Sequence, residues 1–179
     1  MSRCSECSAR VRPIVAVDID GTLAEYHKHL GDHICRYFGM EWKQHPIYDP
    51  WDGEGNYEDY FGITQAQYRE AKLAFRQGGF KRWAPVMPGV AALRHTLTGL
   101  KQTHDLEVWV TTTRPWNRLD STDPDTRHWL DRHFPLYDHL LYDDNKYERL
   151  AEIVDRDRVV AVVDDLPEMW AQAARVFGH

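Results

Sequence analysis

The sequence has no long apolar run. No stretch approaches the ~18 residues that a membrane span needs, and no apolar core precedes Val11, so neither a spanning helix nor a secretion signal is expected. Cysteine is scarce: three residues, with Cys4 and Cys7 forming a Cys-x-x-Cys and Cys35 standing apart. A zinc knuckle needs a second such pair, and none follows. An odd thiol count in a chain without a signal fits a reducing cytoplasm. A basic excess is missing too. The net charge of -6 argues against a large nucleic-acid footprint. It leaves room for a small nucleotide, whose phosphate a metal site neutralises locally. What remains is ordinary for a soluble domain. With 42% hydrophobic residues over 179 positions, the chain can bury one core and a small insert.

The most informative stretch is Val15-Ala16-Val17-Asp18-Ile19-Asp20-Gly21-Thr22-Leu23. Ile14 to Val17 reads as a buried strand. Gly21 and Thr22 then turn the backbone. Residues i and i+2 of a strand point to one side, so Asp18 and Asp20 converge just past the strand's carboxyl end. Open α/β sheets bind ligands there. Two carboxylates converging on one point call for a proton or a cation between them, and a hard divalent ion such as Mg2+ suits them. Alone, Asp-x-Asp-Gly is also how a strand runs into a simple turn.

Asp18-Ile19-Asp20-Gly21-Thr22-Leu23 resembles the first motif of the haloacid dehalogenase (HAD) superfamily, which is mostly phosphatases. The resemblance implies that Asp18 attacks phosphorus and that Asp20 is general acid and base. It also implies that Asp20 lends Mg2+ a backbone carbonyl. A carboxylate nucleophile divides hydrolysis into two displacements through an aspartyl-phosphate.

Between about Ala24 and Pro85 aromatics cluster around Gly-rich stretches, and no strand is evident. One helix is expected over about His29 to Phe38, on the stripe Leu30, Ile34 and Tyr37. A second is expected from Thr64 to Gln77, with Thr64 and Gln67 as a capping box and Gly78-Gly79 as its stop. Residues 25–85 therefore read as a mainly helical insert, where one HAD subgroup carries a cap. Residues 1–12 read as a loose tail. Most of the aromatics should pack the insert, but Tyr26, at the mouth of the site, is a candidate to stack on a base or line a ligand pocket.

The core resumes at Met87-Pro88-Gly89 with a helix to about Leu100. Leu106 to Thr112, His139 to Tyr142 and Val159 to Val163 read as strands two to four. Helices are expected from Asp123-Pro124, from a cap at Asn145, and from Pro167 through Trp170, Ala174 and Phe177. Strand and helix alternate, so the fold class is α/β: a Rossmann-like parallel sheet over 13–24 and 86–179 with the helical cap inserted after strand one. The chain stops soon after the last helix, where many HAD members add a further strand.

The remaining motif residues lie at strand ends. Thr111-Thr112-Thr113-Arg114-Pro115 ends strand two. A Thr hydroxyl followed by free N–H groups can hold a phosphoryl oxygen. The resemblance matches Thr112, with Thr113 supplying the next amide, and three threonines in a row leave a register of one either way open. Arg114 either reaches phosphate or only pairs with a surface carboxylate. Lys146 begins a helix, where a cation opposes the dipole; it makes sense as a counter-charge to nucleophile and phosphoryl. The resemblance gives it the third-motif lysine, with Lys101 as an out-of-order rival. Asp164-Asp165 ends strand four, and the resemblance makes this pair the completion of the Mg2+ site. Asp165 is favoured as ligand and Asp164 as the neighbour that orients Lys146 or a water. His27, His29 and His33 share no single face and are not read as a metal site. Asp138, Asp143 and Asp144 read as solvated loop.

The implied activity is Mg2+-dependent phosphomonoester hydrolysis of a small phosphorylated substrate, with no membrane partner. The passage from Gly78 to Gly89, with an aromatic at Tyr26, is similar to 5'(3')-deoxyribonucleotidases and suggests a nucleoside monophosphate. Asp164-Asp165 to Glu168-Met169-Trp170 is similar to the phosphatase domains of polynucleotide kinases, so a polynucleotide 3'-phosphatase is an alternative. A non-catalytic phospho-ligand binding protein is another.

Overall fold

Four short apolar runs build the sheet. In the computed structural model, which describes residues 11–48, 50–51, 53 and 55–178, they are β1 Ile14–Val17, β2 Glu107–Thr112, β3 His139–Tyr142 and β4 Val159–Val163. All pair in parallel, in the order β3-β2-β1-β4. Cys4 and Cys7 lie outside the described residues.

Every residue of β1 is buried, as a central strand covered on both faces must be. Its period of two divides the core. Val15 and Val17 face a cluster with Val108, Val110, Leu97, Trp129 and Phe134. Ile14 and Ala16 face the other side, with Tyr147, Leu150, Val159 and Ala173. The chain steps outward from β1 to β2 to β3, then returns to place β4 on the other flank of β1. The strand order thus reverses at β1, and a crevice opens beyond its carboxyl end. The Asp18 amide donates to the Val163 carbonyl at 2.9 Å and carries the β1–β4 ladder up to that crevice.

Helices α4 Val90–His104, α5 Thr122–His133, α6 Lys146–Ile153 and α7 Pro167–Phe177 complete the core. Three details differ from expectation. Helix α4 starts after Gly89, leaving Pro88 outside it, and continues past Leu100 through a polar last turn that gives no apolar period. Asn145 occupies the N-cap of α6 without a side-chain cap bond; its amide instead donates to Asp143 Oδ1 at 2.7 Å, an Asx-type turn. In α7 the inward stripe is Met169, Ala173 and Phe177, so Trp170 and Ala174 are exposed. Trp170 is held outside by its indole N–H, which donates to the Asp164 carbonyl at 2.6 Å.

Between β1 and α4 the described residues form helices only: α1 Tyr26–Phe38, α2 Tyr57–Phe61, α3 Gln65–Gln77 and a 3-10 turn over Phe80–Trp83. They close on their own cluster, from Tyr26, Leu30 and Ile34 to Trp51, Phe61, Tyr68 and Phe75. Both bonds of the Thr64–Gln67 capping box are present, and Gly78 ends α3. Helix α1 begins at Tyr26 rather than His29, so Tyr26 sits in its first turn. Among the described residues, no helix is long and apolar enough to cross a membrane.

Candidate active site

The turn after β1 builds one wall of the site. The Leu23 and Ala24 amides both donate to the Ile19 carbonyl, at 2.9 and 2.8 Å, and fold the chain back after Asp20. Gly21 stands at φ +94°, where L side chains are rare. A Cβ there would also lie 2.0 Å from Asp165 Oδ2. Two independent reasons therefore demand glycine, and its smallness brings the β4 terminus against the β1 turn. Thr22 Oγ1 fastens the contact by donating to Asp165 Oδ1 at 3.1 Å.

Helix α6 points its first residue into the crevice. Lys146 is 2% exposed, and its Nζ lies 2.5 Å from Asp18 Oδ1 and 2.6 Å from Asp164 Oδ2. The Tyr147 hydroxyl donates to the same Asp164 oxygen at 2.5 Å, and the Leu166 amide donates to Asp164 Oδ1 at 3.1 Å. Asp164 thus joins Lys146, Tyr147 and the turn after β4. Burial pushes the Asp18 carboxyl up to about 8, and the nearby Asp164 and Asp20 charges add to this against the pull of Lys146. Burial opposes the charge on Lys146, but Asp18 and Asp164 lift it above the ordinary lysine range. Lys101, the rival lysine, is spent elsewhere, on Asp138 at 2.5 Å and the Leu136 carbonyl at 2.9 Å.

Asp20 has different company. Arg114, 3% exposed, donates to it from Nε at 3.0 and 3.1 Å and again from Nη2. Its Nη1 donates to Thr126 Oγ1 at 2.9 Å, which fixes the guanidinium plane. Lys81 Nζ adds a bond to Asp20 Oδ2 at 3.1 Å. Burial alone would raise the Asp20 carboxyl, but Arg114 and then Lys81 outweigh it and hold it well below the usual range. Burial, with Arg114 and Arg76 nearby, pushes Lys81 down to about 7. Arg114 pairs with the motif's own Asp20 rather than with a surface carboxylate, and it also lines the cavity.

Thr112 is buried, and its Oγ1 accepts the Arg114 amide at 3.3 Å. The cavity wall is Thr113 instead. Thr113 is the first residue after β2, at the strand's carboxyl end. Tyr26 lines the cavity but offers no open platform for a base. It is buried in the cap, with Lys81 Nζ 4.8 Å from its ring centroid.

Asp18, Asp20, Thr113, Arg114, Lys146 and Lys81 surround a cavity of about 160 Å3. Lys81 comes from the 3-10 turn at the cap's exit, and Lys72 and Arg76 on α3 reach the same cavity. None of these three was singled out from the sequence. The available signal was the i, i+4 series Tyr68, Lys72, Arg76, which continues an inward-facing stripe of α3 with cations. A more apolar pocket of about 260 Å3, lined by Trp51, Pro46, Pro50 and Met87, adjoins the cavity through Tyr26 and His27.

Among the described residues, one group of acids has metal-binding geometry. Asp18, Asp164 and Asp165 each bring an oxygen within 4.8 Å of the others. Three convergent carboxylates fit a hard divalent cation. The Asp20 carboxylate is outside this group, so it could serve a metal only through its backbone carbonyl. Two of the three histidines lie away from these acids: His29 Nε2 bonds the Phe80 carbonyl at 3.0 Å, and the His33 ring packs 4.6 Å from that of Phe80; His27 lines the cavity, with Nε2 3.8 Å from Asp165 Oδ2.

Solved structures share this architecture. A hydrolase from Streptococcus pneumoniae superposes with a TM-score of 0.61 at 11% identity, covering 93% of this chain and 89% of its own. A HAD-superfamily hydrolase of subfamily IA, variant 1, from Geobacter sulfurreducens gives 0.55 at 15% identity, covering 95% and 85%. The fold is that of the HAD hydrolases. Identities this low establish fold alone. No protein-family model matches the chain, and no curated protein matches it.

Proposed function

We propose that this chain is a Mg2+-dependent phosphomonoester hydrolase that works through an aspartyl-phosphate on Asp18, and that its substrate is a nucleoside monophosphate. The observation that carries the reading is Lys146, whose Nζ is shared between Asp18 and Asp164 at the carboxyl end of β1. A buried lysine bridging two acids at a crevice costs stability unless the charge has work to do.

The residues divide that work. Asp18 Oδ forms the bond to phosphorus as the ester P–O bond breaks, and a protonated Asp20, loosened from Arg114, gives its proton to the leaving oxygen. Lys146 offsets the charge of the nucleophile and of the incoming phosphoryl. Thr113 and the amides that follow it bind phosphoryl oxygens. In the second half-reaction Asp20, kept ionised by Arg114 and Lys81, takes a proton from the water that attacks the aspartyl-phosphate. Asp18, Asp164 and Asp165 would hold Mg2+, with the Asp20 carbonyl beside them; when bound, the ion screens the phosphate from the carboxylates. Residues 25–85 act as a cap that excludes water. The apolar pocket lined by Trp51 and Met87 suits a base beside the phosphate cavity. The narrowness of that cavity counts against a nucleic-acid end.

The test is phosphate release from deoxynucleoside monophosphates, p-nitrophenyl phosphate and a 3'-phosphorylated oligonucleotide, with Mg2+ and with chelator. Release should need Mg2+, favour the mononucleotides and vanish in Asp18→Asn. Binding without release in any condition would instead support a non-catalytic phospho-ligand protein.

A further inference from the structure

The cavity over Asp18 holds more positive charge than its carboxylates use. Lys146 is taken by Asp18 and Asp164, and Arg114 and Lys81 by Asp20. Lys72 and Arg76 remain. Neither forms an ion pair with a described residue. Lys72 Nζ has a neutral partner, the Tyr68 hydroxyl at 3.0 Å, and sits 5.1 Å from that ring's centroid. Arg76 Nε is buried and has no hydrogen-bond partner. Burial, and then the charge of Arg76, hold Lys72 below the ordinary lysine range. Two cations one helical turn apart repel each other, more so in a partly desolvated cavity. An anion between them reverses the sign of that interaction.

We propose that Lys72 and Arg76 form a subsite for a second anionic group, a carboxylate or a further phosphoryl, on the leaving-group side of the substrate. The proposal rests on the phosphomonoesterase reading above, but not on its nucleoside monophosphate, which has a single anionic group and which a doubly anionic substrate would replace. The reacting phosphoryl lies against the core wall, at Asp18, Lys146 and Thr113. Helix α3 forms the cap wall, which the leaving group meets. A cavity of about 160 Å3 keeps both anionic groups of one small molecule within reach of the two walls.

Matched substrates test this. 3-Phosphoglycerate and glycerol 3-phosphate differ in a carboxylate against a hydroxymethyl. Adenosine 3',5'-bisphosphate and adenosine 5'-monophosphate differ in a second phosphoryl. The wild type with Mg2+ should prefer the doubly anionic member of one pair by about 10- to 100-fold in kcat/KM, the scale of a hydrogen bond to a charged group. The pair that discriminates identifies the carrier. Lys72→Met and Arg76→Met should each collapse that ratio toward one, and Lys72→Arg should retain most of it. No preference in either pair, or equal losses on both members, overturns the subsite. If no phosphate is released at all, the phosphatase reading fails separately, and calorimetric titration of the Asp18→Asn protein with the two members of each pair decides. Tighter binding of the doubly anionic member of one pair, lost on adding Lys72→Met, supports the subsite. Equal or undetectable binding of the two members in both pairs overturns it.

Discussion

Arg114 and Lys81 distinguish Asp20 from Asp18, the other aspartate of the first motif. Asp18, answered by one lysine that it shares with Asp164, is pushed up to about 8, whereas Asp20 lies well below the usual carboxylate range. The residues are two apart in sequence and alike in chemistry, so only their tertiary partners separate them. Donating a proton to a leaving group would require Asp20 to loosen its bonds to Arg114, whereas accepting one from water uses it as it stands. Gly21 gives a sharper expectation. An L residue at a left-handed φ costs about 1–2 kcal/mol, and a methyl here also meets Asp165. Gly21→Ala should therefore lower the urea midpoint by more than the conformational cost alone, without changing the denaturant slope. The aspartates, Lys146 and the glycine were legible because each ends an apolar strand or begins a helix in a recognisable order. Lys72, Arg76 and Lys81 were not, because only packing decides which of many surface-type cations turn inward.

At the scale of elements, buried parallel strands announce themselves as apolar runs, and β3 and β4 have the limits that their sequences suggest. Helix starts are harder. Thr64 declares α3 through its capping box, whereas α1 begins after Glu25 with no side-chain cap bond and a polar first turn, and so its opening residues gave no signal. Asp138 was read as solvated loop, yet it joins elements. It accepts the Val108 amide of β2 at 2.8 Å and the Lys101 ammonium of α4 at 2.5 Å. Burial works against its charge, but Lys101 and the Val108 amide hold its carboxyl below the usual value. A depressed folded-state pKa means that this stabilisation is present above the unfolded value, about 3.9, and is lost as pH falls through the folded one. Asp138→Asn should flatten that part of the acid limb, so its urea midpoint should approach that of the wild type between pH 5 and pH 2.

At the scale of the whole molecule, the protein has one sheet with a hydrophobic cluster on each face and a third cluster that belongs to the cap alone. Among the bonds that tie the insert's exit to the core is a buried one: the Trp129 indole N–H donates to the Ala84 carbonyl at 2.7 Å. Trp129→Phe keeps most of the apolar contact and leaves that carbonyl unpaired, at a cost of about 1–3 kcal/mol. Chemical denaturation should show the loss.

The two chain segments that join cap and core lie side by side. Ala24 bridges Val86, the Glu25 amide donates to Pro85 at 2.8 Å, and the Met87 amide donates to Leu23 at 2.9 Å. The intervening residues thus leave and re-enter through a single doorway, and the path of the sheet does not depend on what lies beyond it. Such a doorway makes the segment a cassette. Helices can be lengthened, trimmed or exchanged there under selection, and new chemistries of recognition tried, while the carboxylates at the foot of the crevice stay in register.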